Sequence, residues 1–227
     1  MKYPEHTSTQ FDTELTAVCA SVLQMGKAVE NQFRLALDSL ATGDLMAIDR
    51  VMDAGHSINT MEIDIDENCT HIFVRRQPTA NDLRLVKTII KIINELGHIG
   101  DEAENIACMS KLIAQKHSSH LPGYQQIKYI ADVALGMLSA SLAAFDAMDA
   151  DSARKVGRKD ALIDAELNSI LRHLVGYMME DETKLPTALQ TLCAAKSIKR
   201  IGDHTKSITK HVVYMMEGRE IRNYANR

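Results

Sequence analysis

Residues 11–40, FDTELTAVCASVLQMGKAVENQFRLALDSL, decide the fold. Apolar or small side chains recur in this stretch at steps of three and four residues: Phe11, Leu15, Val18, Val22, Met25, Val29, Phe33, Ala36 and Leu40. Because an α-helix turns once in about 3.6 residues, this spacing places them all on one face of a single long helix. The pattern stops at residues 42–44, Thr-Gly-Asp, where glycine readily ends one helix and aspartate caps the next.

Two further helices are predicted in the first half of the chain. The second runs from Asp44 to about Arg76, and Pro78 then forces its predecessor out of the helical conformation. The third runs to about Gln115 and carries apolar residues on two adjoining faces. A wide apolar face indicates a helix that is enclosed by neighbours.

The second half of the chain repeats the first. Six residues follow Val22, Met25, Val29, Phe33, Ala36 and Leu40 by 105 positions: Ile127, Ile130, Ala134, Leu138, Ser141 and Phe145. Asp149 follows Asp44 at the same offset, and the triplet Ile99-Gly100-Asp101 returns 102 positions later as Ile201-Gly202-Asp203. A shared phase and a shared triplet indicate an internal duplication, with a loop three residues shorter near residues 182–186.

The predicted fold class is therefore all-α, with two tandem repeated antiparallel three-helix bundles. Long amphipathic helices bury their apolar faces best when they lie side by side at shallow angles. The predicted first repeat spans residues 8–116 and the second spans 123–217. Ser118, Ser119, Pro122 and the following Gly123 mark 117–122 as the linker, and 218–227 form a C-terminal tail.

Composition excludes several classes of function. The formal net charge is −4, so no basic surplus favours nucleic-acid binding. No apolar run approaches the roughly 20 residues that span a bilayer, and Met1–Gln10 is polar, so a cytoplasmic protein without membrane insertion is expected. The four cysteines are far apart and form no CxxC pair, which favours buried, reduced thiols over a thiolate metal site.

Carboxylate pairs spaced four residues apart are the first candidate for chemistry. Glu62 with Asp66, and Asp160 with Asp164, each lie on one helix face. Two helices that present such pairs can enclose a cation in oxygen ligands, or the pairs can be solvated acidic faces. Both interpretations stay open at this stage.

Residues 95–98 read Glu-x-x-His, the ligand spacing of ferritin-like di-metal enzymes. That chemistry needs a second such motif, which the sequence lacks, so His98 is predicted to be a surface or interface residue. The sequence has neither a glycine-rich phosphate loop nor a Gly-x-Ser-x-Gly motif. We therefore expect that the protein is not an enzyme.

Each Ile-Gly-Asp triplet places glycine inside a helix, which costs about 1 kcal/mol relative to alanine. The position suggests that a neighbouring backbone approaches Gly100 and Gly202 closely. Tight helix packing alone explains such an approach. Alternatively, the approach brings the following aspartate towards a partner helix or a metal.

Four segments resemble the PhoU family. They are residues 75–84 (RRQPTANDLR), residues 59–69 (NTMEIDIDENC), residues 177–181 (YMMED) and the duplicated Ile-Gly-Asp. The resemblance runs from about Phe11 to Gly218, and its most specific part is Gln-Pro-Thr-Ala between two helices. It implies two repeated three-helix bundles that often form a homodimer.

The same resemblance implies a function. PhoU-like proteins are negative regulators of phosphate uptake and of the phosphate starvation response. They act as adaptors between the ATP-binding subunit of the phosphate ABC transporter and a phosphate-sensing histidine kinase. Some bind multinuclear iron or zinc clusters through acidic pairs on the second and third helices of each half.

This sequence departs from the family at those acidic pairs. In the first half the ligand positions fall on Gly55, Asn59, Gly97 and Asp101; in the second half they fall on Asp160, Asp164, Lys199 and Asp203. The surviving candidate ligands are Asp101, Asp160, Asp164 and Asp203. We expect no cluster in the first half, and weak or no binding of iron or zinc in the second, where Lys199 offsets the acidic charge.

Arg75, Arg76 and Arg84 cluster around the Gln-Pro-Thr-Ala turn. They can meet an acidic patch on a partner, or they can simply be solvated. Two alternatives to the regulatory adaptor stay open, a metal-binding helical protein and a divergent PhoU-like scaffold with another partner.

Overall fold

The computed structural model describes residues 9–115 and 121–219, which are helical with short connections and contain no strand. The helices are α1 (Thr9–Thr42), α2 (Leu45–Arg76), α3 (Ala80–Ala114), α4 (Tyr124–Asp146), α5 (Ala150–Gly157), α6 (Asp160–Glu180) and α7 (Leu185–Glu217), with one 3-10 turn at Glu182–Lys184. Helices α1–α3 form one bundle and α4–α7 the other, so the predicted fold class is confirmed. Most of the predicted linker and of the C-terminal tail lies outside the described residues.

The helix ends of the first repeat follow the local chemistry. Gly43 adopts a positive φ of 71°, and the Asp44 carboxylate accepts a hydrogen bond from the Met46 amide at 2.9 Å. Gln77 ends α2 in the left-handed region with φ 46°, directly before Pro78. These ends lie where glycine, aspartate and proline predict them.

The second repeat keeps the aspartate cap, but its second helix is divided into two, α5 and α6. The Asp149 carboxylate accepts from the amides of Asp151 and Ser152, at 2.9 and 3.0 Å. The rod is then interrupted between α5 and α6, because the Lys159 amide bonds Val156 O three residues back in a turn. The prediction of one continuous second helix was therefore wrong here, and the break places Asp160 in the first turn of α6.

The core runs through both bundles as one connected set of apolar side chains. Its largest members, Phe33 of α1 and Phe145 of α4, are fully buried. The apolar stripe read from residues 11–40 lies entirely in this core. Hydrophobic burial on that scale is the main term that holds long helices together.

One core position is polar only in the first repeat. Gln32 is fully buried, its Nε2 donates to Val51 O at 3.1 Å, and its Oε1 has no hydrogen-bond partner. The residue 105 positions later is Met137, which is also fully buried. A buried oxygen without a donor destabilises the folded state.

We expect Gln32→Met to stabilise the protein by about 1 kcal/mol, because it removes the unsatisfied oxygen and preserves side-chain length. The Val51 carbonyl loses a donor but lies within a helix. Urea unfolding followed by circular dichroism measures the change. The reverse substitution, Met137→Gln, is the matched control and should destabilise by about 1–3 kcal/mol; equal effects of both variants would contradict the explanation.

The two repeats meet along α3 and α7, which run antiparallel. Glu95 contacts His204 and Glu102 contacts Arg200, so the residue number falls on α7 as it rises on α3. Helices α1 and α4 also contact each other, around a cleft of about 380 Å³ lined by Arg34, Asp38, Tyr124, Lys128, Asp132 and neighbouring apolar side chains.

The four cysteines divide between core and surface. Cys19 and Cys69 are buried as predicted, and burial raises the pKa of the Cys69 thiol to about 12. Cys108 and Cys193 are exposed, so the prediction of buried thiols was wrong for these two. Their helices are amphipathic, and both residues lie on the solvent side.

Helix α4 is long and apolar enough to cross a bilayer. However, 56% of its most apolar window is buried inside the protein, as in a core helix. No other helix within the described ranges meets the same length and hydropathy criteria.

Candidate functional site

The acidic positions of the second repeat are brought together, and a lysine lies among them. Lys199 Nζ donates to both oxygens of Asp203, at 2.5 and 2.6 Å, and lies 3.4 Å from Asp164 Oδ1. Partial burial opposes the charge on Lys199, but the hydrogen bond to Asp203 and the nearby carboxylates raise its pKa overall. The ammonium group therefore neutralises these carboxylates at the point where they converge.

A second lysine, Lys206, was not predicted. Its Nζ donates to Asp160 Oδ2 at 2.6 Å, while Asp160 is 1% exposed and its Oδ1 has no hydrogen-bond partner. Lys206 follows Lys199 by seven residues, so both lie on the same face of α7. This spacing could have indicated that the two lysines share one face of the helix.

In the first repeat, glutamate carboxylates from a neighbouring helix occupy the space beside Gly55 and Gly97, the two family ligand positions that hold glycine. A Cβ on Gly55 would overlap the Glu104 carboxylate, and a Cβ on Gly97 would overlap the Glu62 carboxylate. Burial raises the pKa of both glutamates, and the charge of Asp101 adds to the rise. The two glycines thus make room for carboxylates from the neighbouring helix, and sequence spacing did not predict either contact.

The remaining first-repeat candidates lie near this surface. Asp101 is exposed, and the His98 Nδ1 lies 3.9 Å from Asp101 Oδ2. His98 is itself exposed, as predicted. Asp66, the predicted companion of Glu62, is also exposed, and its negative charge contributes to the raised pKa of Glu62.

The acidic positions do not fit a metal cluster. Lysine ammonium groups hold the carboxylates of the second repeat, and glycine occupies two of the four positions in the first. Across residues 9–115 and 121–219, no group of three or more His, Cys, Asp or Glu side chains is arranged to hold a metal ion. Glu95 of the Glu-x-x-His motif contacts a histidine of the second repeat, since its Oε2 lies 2.7 Å from His204 Nδ1.

The three arginines at the Gln-Pro-Thr-Ala turn differ in environment. Arg76 makes a two-pronged ion pair with Glu14, at 2.9 and 2.6 Å. Arg84 bonds Asn81 and packs against Gly218 at the end of α7. Arg75 is exposed and lines a shallow cleft of about 240 Å³ between α1 and α2.

The glycines of the duplicated triplet face side chains, not backbone. A Cβ on Gly202 would lie 2.8 Å from Ile163 Cδ1, and a Cβ on Gly100 would lie 3.1 Å from Gln32 Oε1. The expected close approach of a neighbouring backbone was therefore wrong. Glycine is favoured because large core side chains reach across the helix surface at these two points.

The fold and its ion-paired acidic face define a duplicated three-helix-bundle protein. A family model described as PhoU domain matches residues 22–109 and 127–212. The phosphate-specific transport system accessory protein PhoU homologue of Burkholderia sp is 40% identical over 220 residues, 96% of this chain and 94% of that protein. The PhoU protein of Escherichia coli K12 is 39% identical and is covered to 90%.

Solved structures of PhoU proteins have the same fold as this chain. The crystal structure of PhoU from Pseudomonas aeruginosa superposes with a TM-score of 0.88 at 37% identity, covering 92% of this chain and all of that one. The phosphate transport system regulatory protein PhoU from Streptococcus pneumoniae gives 0.86 at 26% identity, covering 94% of this chain and all of that one. The chain belongs to the PhoU family.

Proposed function

We propose that this protein is a negative regulator of phosphate uptake and of the phosphate starvation response. It acts as an adaptor between the ATP-binding subunit of the phosphate ABC transporter and the phosphate-sensing histidine kinase. One observation carries the proposal: about 40% identity to accessory proteins of the phosphate-specific transport system, sustained over 96% of the chain. A similarity that spans both repeats supports retention of the whole adaptor and not of one bundle alone.

The test is deletion of the gene in the host, with alkaline phosphatase activity measured in high phosphate. A negative regulator predicts constitutive enzyme expression in the deletion strain and repression after the gene is restored on a plasmid. Unchanged repression in the deletion strain would contradict the proposal and favour a scaffold with another partner.

We propose Arg75 as the docking residue of the arginine cluster. Arg76 is already paired with Glu14, and Arg84 contacts Asn81 and Gly218 within the chain. Arg75 is exposed beside an open cleft, so its charge is available to an acidic patch on a partner.

Arg75→Glu is therefore expected to weaken capture of the transporter ATPase subunit at least about tenfold in a pull-down titration. Arg172→Glu is the matched control, because Arg172 is an exposed arginine on α6 and its substitution makes the same change in net charge. Equal binding by the two variants would remove Arg75 from the docking surface.

The metal-binding alternative is less well supported. We propose that iron or zinc binds weakly or not at all in the second repeat and forms no cluster in the first. The short contacts of Lys199 to Asp203 support the first part, since a divalent cation in that place would be repelled by the ammonium group. Metal analysis of protein purified without chelator tests both parts.

We also propose that the protein works in the cytoplasm as a homodimer. The support is the family membership, because the resemblance implies dimerisation and partners whose contacting parts face the cytoplasm. Sedimentation equilibrium tests the dimer, and a monomeric mass across the micromolar range would contradict it.

A further inference from the structure

The second repeat exposes a group of large apolar side chains beside the turn that joins α6 to α7. Five of them are 42–84% exposed: Leu171, Val175 and Met179 of α6, and Leu185 and Leu189 of α7. Neighbouring members on each helix are four residues apart, so each helix contributes one stripe. These five residues are called the α6–α7 patch below.

The two stripes adjoin along the groove between α6 and α7. Lys199 Nζ lies 3.4 Å from Asp164 Oδ1, and this contact marks the groove at the end away from the turn. Leu171 follows Asp164 by seven residues, and Leu185 precedes Lys199 by fourteen. Because seven residues complete about two helical turns, both leucines lie on the sides of their helices that border the groove. The α6–α7 patch is therefore one continuous surface.

The fold does not require apolar side chains at these positions. The first repeat carries Asp66, Thr70 and Lys87 where the second carries Leu171, Val175 and Leu189, at offsets of 105 on the second helix and 102 on the third. The three polar residues are exposed as well, so the two repeats place these positions in the same environment. The apolar side chains of the second repeat therefore indicate a contact outside the single chain.

The size of the patch matches the apolar part of a stable protein–protein interface. Its five residues expose roughly 500 Å², which is near the upper end for the largest apolar patch on a monomer. A standard interface buries about 800 Å² on each partner, and somewhat more than half of that area is apolar. The α6–α7 patch by itself supplies that share.

The geometry of the patch favours a second copy of this chain as the partner. Helices α6 and α7 are antiparallel, since Asp160 contacts Lys206 and Asp164 contacts Lys199. A two-fold axis along the groove, in the plane of the contact, places α6 of one copy over α7 of the other. Facing helices are then antiparallel, and four helices pack side by side, as in a helix bundle.

The charges beside the patch are compatible with this self-association. Near the turn, Lys184 Nζ donates to Glu180 Oε2 at 2.6 Å. At the other end, Lys199 Nζ donates to Asp203 Oδ2 at the same distance. Each of these charges has its counter-ion within the chain, so an identical surface can approach without setting unpaired like charges against each other.

We propose that the α6–α7 patch is the face through which two copies of this chain associate. The contact is isologous, so each patch covers the other and every member is buried twice in the dimer. This inference rests on the proposed homodimer, to which it assigns a face, and it does not depend on the proposed partners in phosphate regulation.

Sedimentation equilibrium of Leu171→Asp/Leu189→Lys tests the face. The variant carries the residues that the first repeat has at these positions, so its helices should form normally, which circular dichroism checks. We expect the dimer dissociation constant to rise at least about a hundredfold, because the two-fold contact loses each leucine twice. Leu45→Asp/Ile63→Lys is the matched control on exposed apolar residues of the first repeat, and it should leave the dissociation constant unchanged.

Oxidation by hydrogen peroxide gives a second measurement, on the wild-type chain. Met179 and Met46 are 84% and 75% exposed in the single chain, so their sulfoxides should form at similar rates in dilute, monomeric protein. Above the dissociation constant, Met179 should be oxidised at least about fivefold more slowly than Met46, because only Met179 lies in the covered patch.

The outcomes separate the face from the dimer. A wild-type chain that stays monomeric across the micromolar range would overturn the homodimer and this inference together. A dimer that persists in Leu171→Asp/Leu189→Lys, or equal oxidation of Met179 and Met46 in a dimeric wild type, would overturn the face and leave the homodimer standing. An intact dimer of that variant that no longer captures the transporter ATPase subunit would assign the patch to that partner instead.

Discussion

Replacing Lys206 with methionine is expected to destabilise the protein by about 3 kcal/mol at neutral pH. Lys206 Nζ is the hydrogen-bond donor to Asp160 Oδ2, and the Asp160 side chain is almost fully buried. Without Lys206 a carboxylate is left buried without its counter-ion, which is far less favourable than losing an exposed ion pair. The start of α6 offsets part of the effect, because helix N-termini favour negative charge.

Thermal unfolding measures this prediction, and the midpoint should fall by roughly 6–12 °C for a chain of this size. Lys196→Met is the matched control, since Lys196 is exposed on the same helix. The double variant Asp160→Asn/Lys206→Met should recover most of the lost stability, because a neutral amide does not need a counter-ion. An effect of Lys206→Met no larger than that of Lys196→Met would show that the buried pair contributes little.

Lys199→Glu is expected to create metal binding in the second repeat. The substitution replaces an ammonium group by a carboxylate among Asp164 and Asp203, a change of two unit charges at the place where they converge. At about 4 Å and an effective dielectric constant of about 20, each unit pair contributes about 4 kcal/mol. Affinity for Zn²⁺ or Fe²⁺ should therefore rise at least about a hundredfold.

Equilibrium dialysis with metal analysis checks this result, and the thermal midpoint of the variant should rise when metal is added. Lys199→Met is the control, because it removes the ammonium group without adding a ligand, and it should give a smaller gain. Two findings would contradict the prediction: stoichiometric metal already present in the wild-type chain, or no gain in Lys199→Glu over Lys199→Met.

Local chemistry made much of the fold predictable. The cap at Asp44 and the break before Pro78 depend on residues a few positions apart, so the sequence contains all the information they need. Residues four apart on one helix are held at a fixed distance, and this is why the pairing of Lys199 with Asp203 was predictable.

The break between α5 and α6 was less visible. The sequence around Arg158 has no proline, and the duplication argued for one continuous rod as in α2. The break matters for the candidate site, because it places Asp160 at the start of a helix, where Lys206 reaches it from 46 residues away.

The residues of the candidate site were likewise only partly predictable from the sequence. The spacing of acidic residues located Asp160 and Asp164, and the repeated Ile-Gly-Asp triplet with the PhoU resemblance located Asp203. Neither identified Lys206 as the partner of Asp160. The carboxylates of Glu62 and Glu104 fill the spaces above Gly97 and Gly55, and no periodicity within one helix reports a contact between two helices.

By itself the sequence determined the helices of the first repeat with their ends, the duplication and the family. Each of these depends on periodicity or on neighbouring residues, whose geometry the helix fixes. Only the tertiary structure decided which charges meet: Lys206 with Asp160, and Glu95 with His204, which is 109 residues away. Such contacts depend on how each rod is rotated and shifted against its neighbours, which is set by packing of the whole core.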